Sequence, residues 1–122
     1  MLIALWIING LLALAFLAVG SMKLFRSKPA LQSMGMAWTE DFSDAAVKLV
    51  GAAEVVGAVG LILPLLTGIA PLLTPIAATA LALLMLGAVV VHLRRKETPV
   101  PPLVLGILSA VSAVIGFLVV LG

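Results

Sequence analysis

The sequence predicts an all-α protein in which four transmembrane helices form an up-down bundle. Hydrophobic residues make up 64% of its 122 residues and charged residues only 10%, whereas a soluble domain carries about 45–50% apolar and about 25% charged residues. Four apolar stretches each reach the length of about 20 residues that a helix needs to cross a bilayer. Because these stretches leave no polar face, they are not typical of the helices of a soluble protein.

The four predicted spans form a single transmembrane domain over residues 1–122. They cover residues of about 2–22, 45–66, 75–93 and 102–121, and a longer polar connection covers about 23–44. Ser43 is placed to cap the second span, and Thr74 is placed to cap the third with Pro75 behind it, because such residues are favoured at helix starts. Ser27 is placed to begin a short surface helix within the connection.

Positive charge is confined to one side of the predicted bundle. All seven Lys and Arg residues lie in or beside the connections that follow the first and third spans. An even number of spans places both connections on the same side, and the positive-inside rule assigns that side to the cytoplasm. The sequence therefore predicts a multi-pass plasma-membrane protein with residues 23–44 and 94–101 in the cytoplasm and both termini outside.

The composition excludes several kinds of active site. The chain has no cysteine and one histidine, so thiol chemistry, a histidine zinc site and a bis-histidine haem cannot be built within one chain. Its low charge is not typical of a nucleic-acid-binding protein. No cofactor motif is evident, and we expect neither catalytic residues, nor a metal site, nor enzyme activity from the isolated chain.

One acidic residue lies well inside a predicted span. A charge at membrane depth costs about 2.5–3.5 kcal/mol on insertion scales, so Glu54 needs a partner or a function. Lys23 ends the first span and His92 ends the third, on the side nearer to Glu54. We expect the three to line one polar pocket with Lys23 as the closer partner, serving either as a functional site or as an ion pair that sets helix register.

Small residues predict where helices pack closely. They lie in the second span at Gly51, Gly57 and Gly60, and in the fourth span at Ser109, Ser112 and Gly116. The set in the fourth span exceeds what one contact requires, so we expect a homo-oligomer, with a two-fold dimer as the commonest form. Asn9 in the first span is expected to bond a neighbouring backbone carbonyl.

Three motifs follow one another along the chain: VGSMKLFRSKP, VGAAEVVGAVGLILP and LTPIAATALALLMLGAVVVHLRRKE. In this order they resemble the DoxX-like family of small four-helix membrane proteins. The resemblance assigns Lys23, Glu54 and His92 to the polar signature of that family. It implies association with membrane redox systems, including quinone-linked thiosulfate oxidation, and for distant relatives a role as chaperone or cargo receptor.

Three functional hypotheses follow from these features. The first is a non-catalytic subunit or scaffold of a membrane redox system, with a redox enzyme as partner and a quinone or other lipophilic molecule as ligand. The second is a small proton-coupled transporter, based on the single membrane carboxylate. The third is an assembly or chaperone factor for other membrane proteins.

Overall fold

The computed structural model describes residues 1–122 and confirms the all-α fold class. Four helices are long and apolar enough to cross a membrane. They are α1 (Leu2–Phe25), α3 (Asp44–Thr67), α4 (Leu73–Arg94) and α5 (Val100–Leu121). Between α1 and α3 lie a short helix, α2 (Lys28–Ser33), and a 3₁₀ helix (Ala37–Asp41).

The four long helices run up and down in a ring. α1 packs on α3, α3 on α4 and α4 on α5, and the smallest contact in the ring returns from α5 to α1. One end of the bundle, called the charged end below, holds the end of α1, the end of α4 and residues 26–43 and 95–99 between the helices. The opposite end holds both termini and the short α3–α4 turn.

The observed helix ends modify two sequence predictions. α1 continues three residues past residue 22, which places Lys23 inside its last turn, where a cation is favoured by the helix dipole. Ser43 accepts a hydrogen bond from the Ala46 N–H at 3.1 Å, as its predicted cap role requires. The predicted cap role of Thr74 is wrong, because α4 already begins at Leu73.

Thr74 instead satisfies a backbone carbonyl of α3. Pro64 lies inside α3 and has no N–H, so the Gly60 carbonyl loses the partner it would have four residues later. The Thr74 hydroxyl donates a hydrogen bond to that carbonyl at 2.9 Å. Because lipid offers no hydrogen bonds, this contact between neighbouring helices removes an unsatisfied polar group from the bilayer.

The core is narrow and lies along the axis of the bundle. Only 24 of 122 residues are buried, and large apolar side chains are exposed on all four long helices. Such a surface fits a lipid environment and would aggregate in water. The buried cluster at the centre comprises Leu12, Ala13, Phe16, Ala58, Leu61, Ala78, Leu81, Met85 and Ala113.

Polar side chains join α1 to its neighbours within this core. The Asn9 amide donates a hydrogen bond to the Leu61 carbonyl of α3 at 3.0 Å, which is the kind of bond that we expected. The Ser112 hydroxyl of α5 donates to the Asn9 carboxamide oxygen. Asn9 and Ser112 are both fully buried, so these bonds fix the three helices at one level.

The small residues of α5 are used inside the protomer. Ser109 and Ser112 are fully buried, and a methyl group on Gly116 would lie 3.0 Å from the Pro75 Cβ of α4. This face is therefore not free to contact a second copy. Homo-oligomer formation stays a prediction, but the small-residue face of α5 is no longer an argument for it.

The small residues of α3 lie against α1 and α4. A methyl group on Gly57 would lie 2.7 Å from Leu81, and one on Gly60 would lie 2.8 Å from Ala77. α1 and α3 approach each other most closely at two facing glycines: a methyl group on Gly20 would lie 2.8 Å from the Gly51 carbonyl oxygen. A side chain at either glycine would force the two helices apart.

Replacing Gly20 by Ala is expected to destabilise the bundle by about 1–3 kcal/mol, because the added methyl group overpacks the α1–α3 crossing. Gly10 is the matched control in the same helix, since nothing lies within 4 Å of a methyl group there. Gly10→Ala should be neutral or stabilise by about 0.5–1 kcal/mol through helix propensity. The free energy of unfolding in mixed detergent micelles measures both, and equal effects of the two changes would contradict the close crossing.

Candidate functional site

A buried ion pair joins α1 to α3 near the charged end of the bundle. The Lys23 Nζ lies 2.5 Å from the Glu54 Oε1. Lys23 is 6% exposed and Glu54 is 1% exposed. Each charged group compensates the other for the water that burial removes. Replacing one of the two residues would leave an uncompensated buried charge.

The glycine crossing places these two side chains within reach of each other. Gly20 lies three residues before Lys23, and Gly51 lies three residues before Glu54. One helical turn therefore separates each charged residue from the point where the backbones of α1 and α3 nearly touch. Because α1 and α3 are antiparallel, Lys23 lies opposite Gly51 and Glu54 lies opposite Gly20: added methyl groups would lie 2.8 Å from the Lys23 Cβ and 3.1 Å from the Glu54 Cβ. The two charged side chains therefore start on opposite sides of the crossing and meet across it.

A cavity of about 520 Å³ opens beside the ion pair. All four long helices and the connection between α1 and α3 contribute to its walls, which are mainly apolar. Lys23, Glu54 and His92 all line it, so the structure places the three predicted pocket residues on one cavity. Its volume lies within the range of about 300–1,000 Å³ that is usual for small-molecule sites.

His92 contributes to the cavity without contacting the ion pair. Its Nδ1 lies 3.3 Å from the Glu97 Oε1, but the geometry does not make a hydrogen bond, and this buried nitrogen has no hydrogen-bond partner. The nearest acidic group to His92 is therefore Glu97 and not Glu54. Because Nδ1 is buried against Glu97, the ring nitrogen left for a molecule in the cavity is Nε2, which makes no hydrogen bond within the chain.

Residues 27–42, called the strap below, cover the charged end of the cavity. The Trp38 ring centroid lies 5.3 Å from the Lys23 Nζ, a distance at which an ammonium is attracted by an indole face. Phe42 packs edge-on against Trp38, with 5.7 Å between ring centroids. The strap thus places the Trp38 ring over Lys23 and packs Phe42 against that ring.

Arg95 fastens the strap to the end of α4. Its guanidinium donates hydrogen bonds to Asp41 at 2.5 Å, to Glu40 at 2.9 Å and to Glu97 at 3.1 Å. These bonds, with Asp41 the strongest contributor, hold the pKa of Arg95 above its usual range. The sequence offered one indication of this contact: the acidic residues before α3 and the basic residues after α4 lie in connections that are predicted on the same side of the membrane.

The polar groups of the cavity can donate and accept hydrogen bonds. Lys23 gives one hydrogen bond to Glu54, so its ammonium has further N–H donors. No three His, Cys, Asp or Glu side chains lie close enough together to hold a metal ion. The polar groups that face the cavity are a charged donor, a carboxylate and an imidazole, and Met and aromatic side chains surround them.

The fold and this cavity define a class: a multi-pass membrane protein of four spanning helices with a polar site near one end. The sequence model of the DoxX-like family matches residues 7–120. The chain therefore belongs to the DoxX-like family, and the matched region includes all three polar residues of the cavity. No curated protein and no solved structure matches the chain.

A double-mutant cycle tests whether the two charges depend on each other. Lys23→Met alone should lower the free energy of unfolding by about 3–5 kcal/mol, because it leaves the Glu54 carboxylate buried without a partner. The double change Lys23→Met with Glu54→Gln should cost clearly less than that single change, since no uncompensated charge remains. Unfolding titrations of the four proteins in the cycle measure both effects, and strictly additive losses would show that the residues are only near each other.

Proposed function

We propose that this DoxX-like protein is a non-catalytic subunit of a membrane redox system and that it holds a quinone-type molecule in its cavity. The observation that carries the proposal is an apolar cavity with a buried Lys23–Glu54 pair on its wall and the His92 imidazole among its lining residues. A ring with carbonyl or hydroxyl oxygens would match these groups while the apolar walls surround the rest of the molecule.

Hydrogen bonding supports a quinone-type head group. A quinone oxygen can accept a hydrogen bond from the Lys23 ammonium, which is a charge-assisted and therefore strong donor. The His92 Nε2 can donate to a second oxygen or accept from the hydroxyl of a quinol, depending on its tautomer. Trp38 and Phe42 provide aromatic surface for a flat ring, and Met85 provides a soft apolar contact.

The sequence supports the role of a subunit. It contains no cysteine and one histidine, so a partner would supply the group that exchanges electrons with the bound molecule. Because Glu54 is paired with Lys23, its position in the membrane is explained without a role in proton transport. We further propose that the charged end faces the cytoplasm, because it carries every Lys and Arg of the chain.

Quenching of Trp38 fluorescence tests the bound molecule directly. The chain has two tryptophans, so in a Trp6→Phe background Trp38 is the reporter that lines the cavity. A short-chain quinone should quench Trp38 saturably in nanodiscs. The double variant Lys23→Met with Glu54→Gln should bind about tenfold more weakly or worse, because it lacks the charged donor.

The matched control is a Trp38→Phe protein in which Trp6, at the opposite end of α1, reports on quinone dissolved in the bilayer. Equal and unsaturated quenching of both reporters would contradict binding in the cavity. Purification from native membranes in mild detergent then distinguishes the three candidate functions. Co-purification of a redox enzyme would support the proposal. A varied set of membrane proteins would support an assembly factor, and proton flux in liposomes would support a transporter.

A further inference from the structure

A second, smaller cavity forms a groove between α3 and α4. Its volume is about 360 Å³, and its walls are almost entirely apolar. The lining residues are Ala53, Gly57, Ala80, Leu81, Leu83 and Leu84. Ala53, Ala80 and Leu83 are exposed on the membrane-facing perimeter, so the groove is open to the side and not enclosed in the core.

The groove lies on the charged-end side of the close contact between α3 and α4 at Gly60. They are in close contact where Gly60 meets Ala77 and where Leu81 fills the space left by Gly57. Nearer the charged end, Val50 of α3 and Gly87 of α4 line the main cavity instead. From the tight contact toward the ion pair, α3 and α4 thus line first the groove and then the main cavity.

The groove and the main cavity lie side by side. Leu84 lines both of them. On α4, Ala80, Leu84, Gly87 and Val91 follow one another at spacings of four, three and four residues, which places them on one helix face. That face runs from the groove to the main cavity and carries no polar side chain.

The end of the main cavity that faces the charged end is covered by the strap. Arg95 ties Glu40 and Asp41 of the strap to the end of α4, and the Lys28 ammonium donates a hydrogen bond to the Phe42 carbonyl at 2.5 Å. These bonds close the strap on itself and onto α4. A molecule dissolved in the bilayer meets no such bonds on the α3–α4 side.

We propose that the α3–α4 groove holds the start of an apolar chain attached to the head group in the main cavity. The ligand is then a single-chain amphiphile with a small polar head and a prenyl or alkyl tail, and it enters sideways from the bilayer. This inference rests on the proposed function, since it extends the ligand of the same cavity. The stretch from Leu84 to Ala80 is about 6 Å long, so the groove seats the first carbons of the chain and the remainder lies in lipid.

Two probes with the same ring test the proposal: a tetramethyl quinone without a tail and a quinone with a decyl tail. Ala80→Phe fills the groove without touching the main cavity, because Ala80 lines only the groove. With Trp38 as reporter, this change should weaken binding of the tailed quinone about tenfold through steric overlap and leave the tail-less quinone unchanged. Ala110→Phe is the matched control: Ala110 is exposed on α5 and lines neither cavity, so neither probe should be affected.

Equal binding of the tailed quinone by wild type and Ala80→Phe would overturn the groove proposal, as would equal loss of both probes. Arg95→Gln releases the strap and serves as a further comparison. The groove proposal would also be overturned if Arg95→Gln changed the affinity for the tailed quinone while Ala80→Phe did not. Failure of the proposed function is distinguishable, because then neither probe quenches Trp38 saturably in the wild-type protein.

A photolabelling measurement keeps the test valid if Ala80→Phe does not fold. A quinone that carries a diazirine on the first carbons of its tail should label Ala53, Ala80 or Leu83 of the wild-type protein, and excess unlabelled tailed quinone should suppress the labelling. Labelling confined to the strap, or spread evenly around the bundle without competition, would overturn the groove.

Discussion

The contact between the Lys23 ammonium and the Glu54 carboxylate is the constraint around which the charged end of the bundle is arranged. Neither charge is stable alone in a bilayer, so α1 and α3 must stay in register to keep the two atoms 2.5 Å apart. The facing glycines make that register possible, because Gly51 leaves room opposite Lys23 and Gly20 leaves room opposite Glu54. Trp38 then packs over the Lys23 ammonium, and the cavity occupies the space that the four helices leave beside the pair.

The other polar contacts between the helices satisfy groups that have no water around them in the bilayer. The Gly60 carbonyl, which Pro64 deprives of a helical donor, receives the Thr74 hydroxyl of the next helix. Asn9 and Ser112 link α1 to α3 and α5 by the same principle. These polar contacts specify which helices are neighbours, a task that apolar packing alone performs poorly when lipid is as apolar as the side chains.

The sequence predicted the fold class because uninterrupted apolar stretches of membrane length have few other solutions. It also singled out Glu54, since an acidic residue among apolar neighbours is costly, and Lys23 and His92 as the polar residues that end adjoining spans. The cap assigned to Thr74 was wrong, because its real partner depends on a proline in another helix. The position of the strap and its bonds to Arg95 depend on tertiary contacts between distant segments, and helical periodicity does not predict such contacts.

Magic-angle-spinning NMR of the protein in bilayers tests the central contact most directly. With ¹⁵N-labelled lysine and ¹³C-labelled glutamate, the account predicts one strong dipolar coupling, between the Lys23 Nζ and the Glu54 carboxylate, which Glu54→Gln abolishes. Lys48 is the internal control, because its ammonium donates to the Leu24 carbonyl and should show no such coupling. A Glu54 carboxylate coupled to no lysine, with Lys23 in contact with water, would contradict the account.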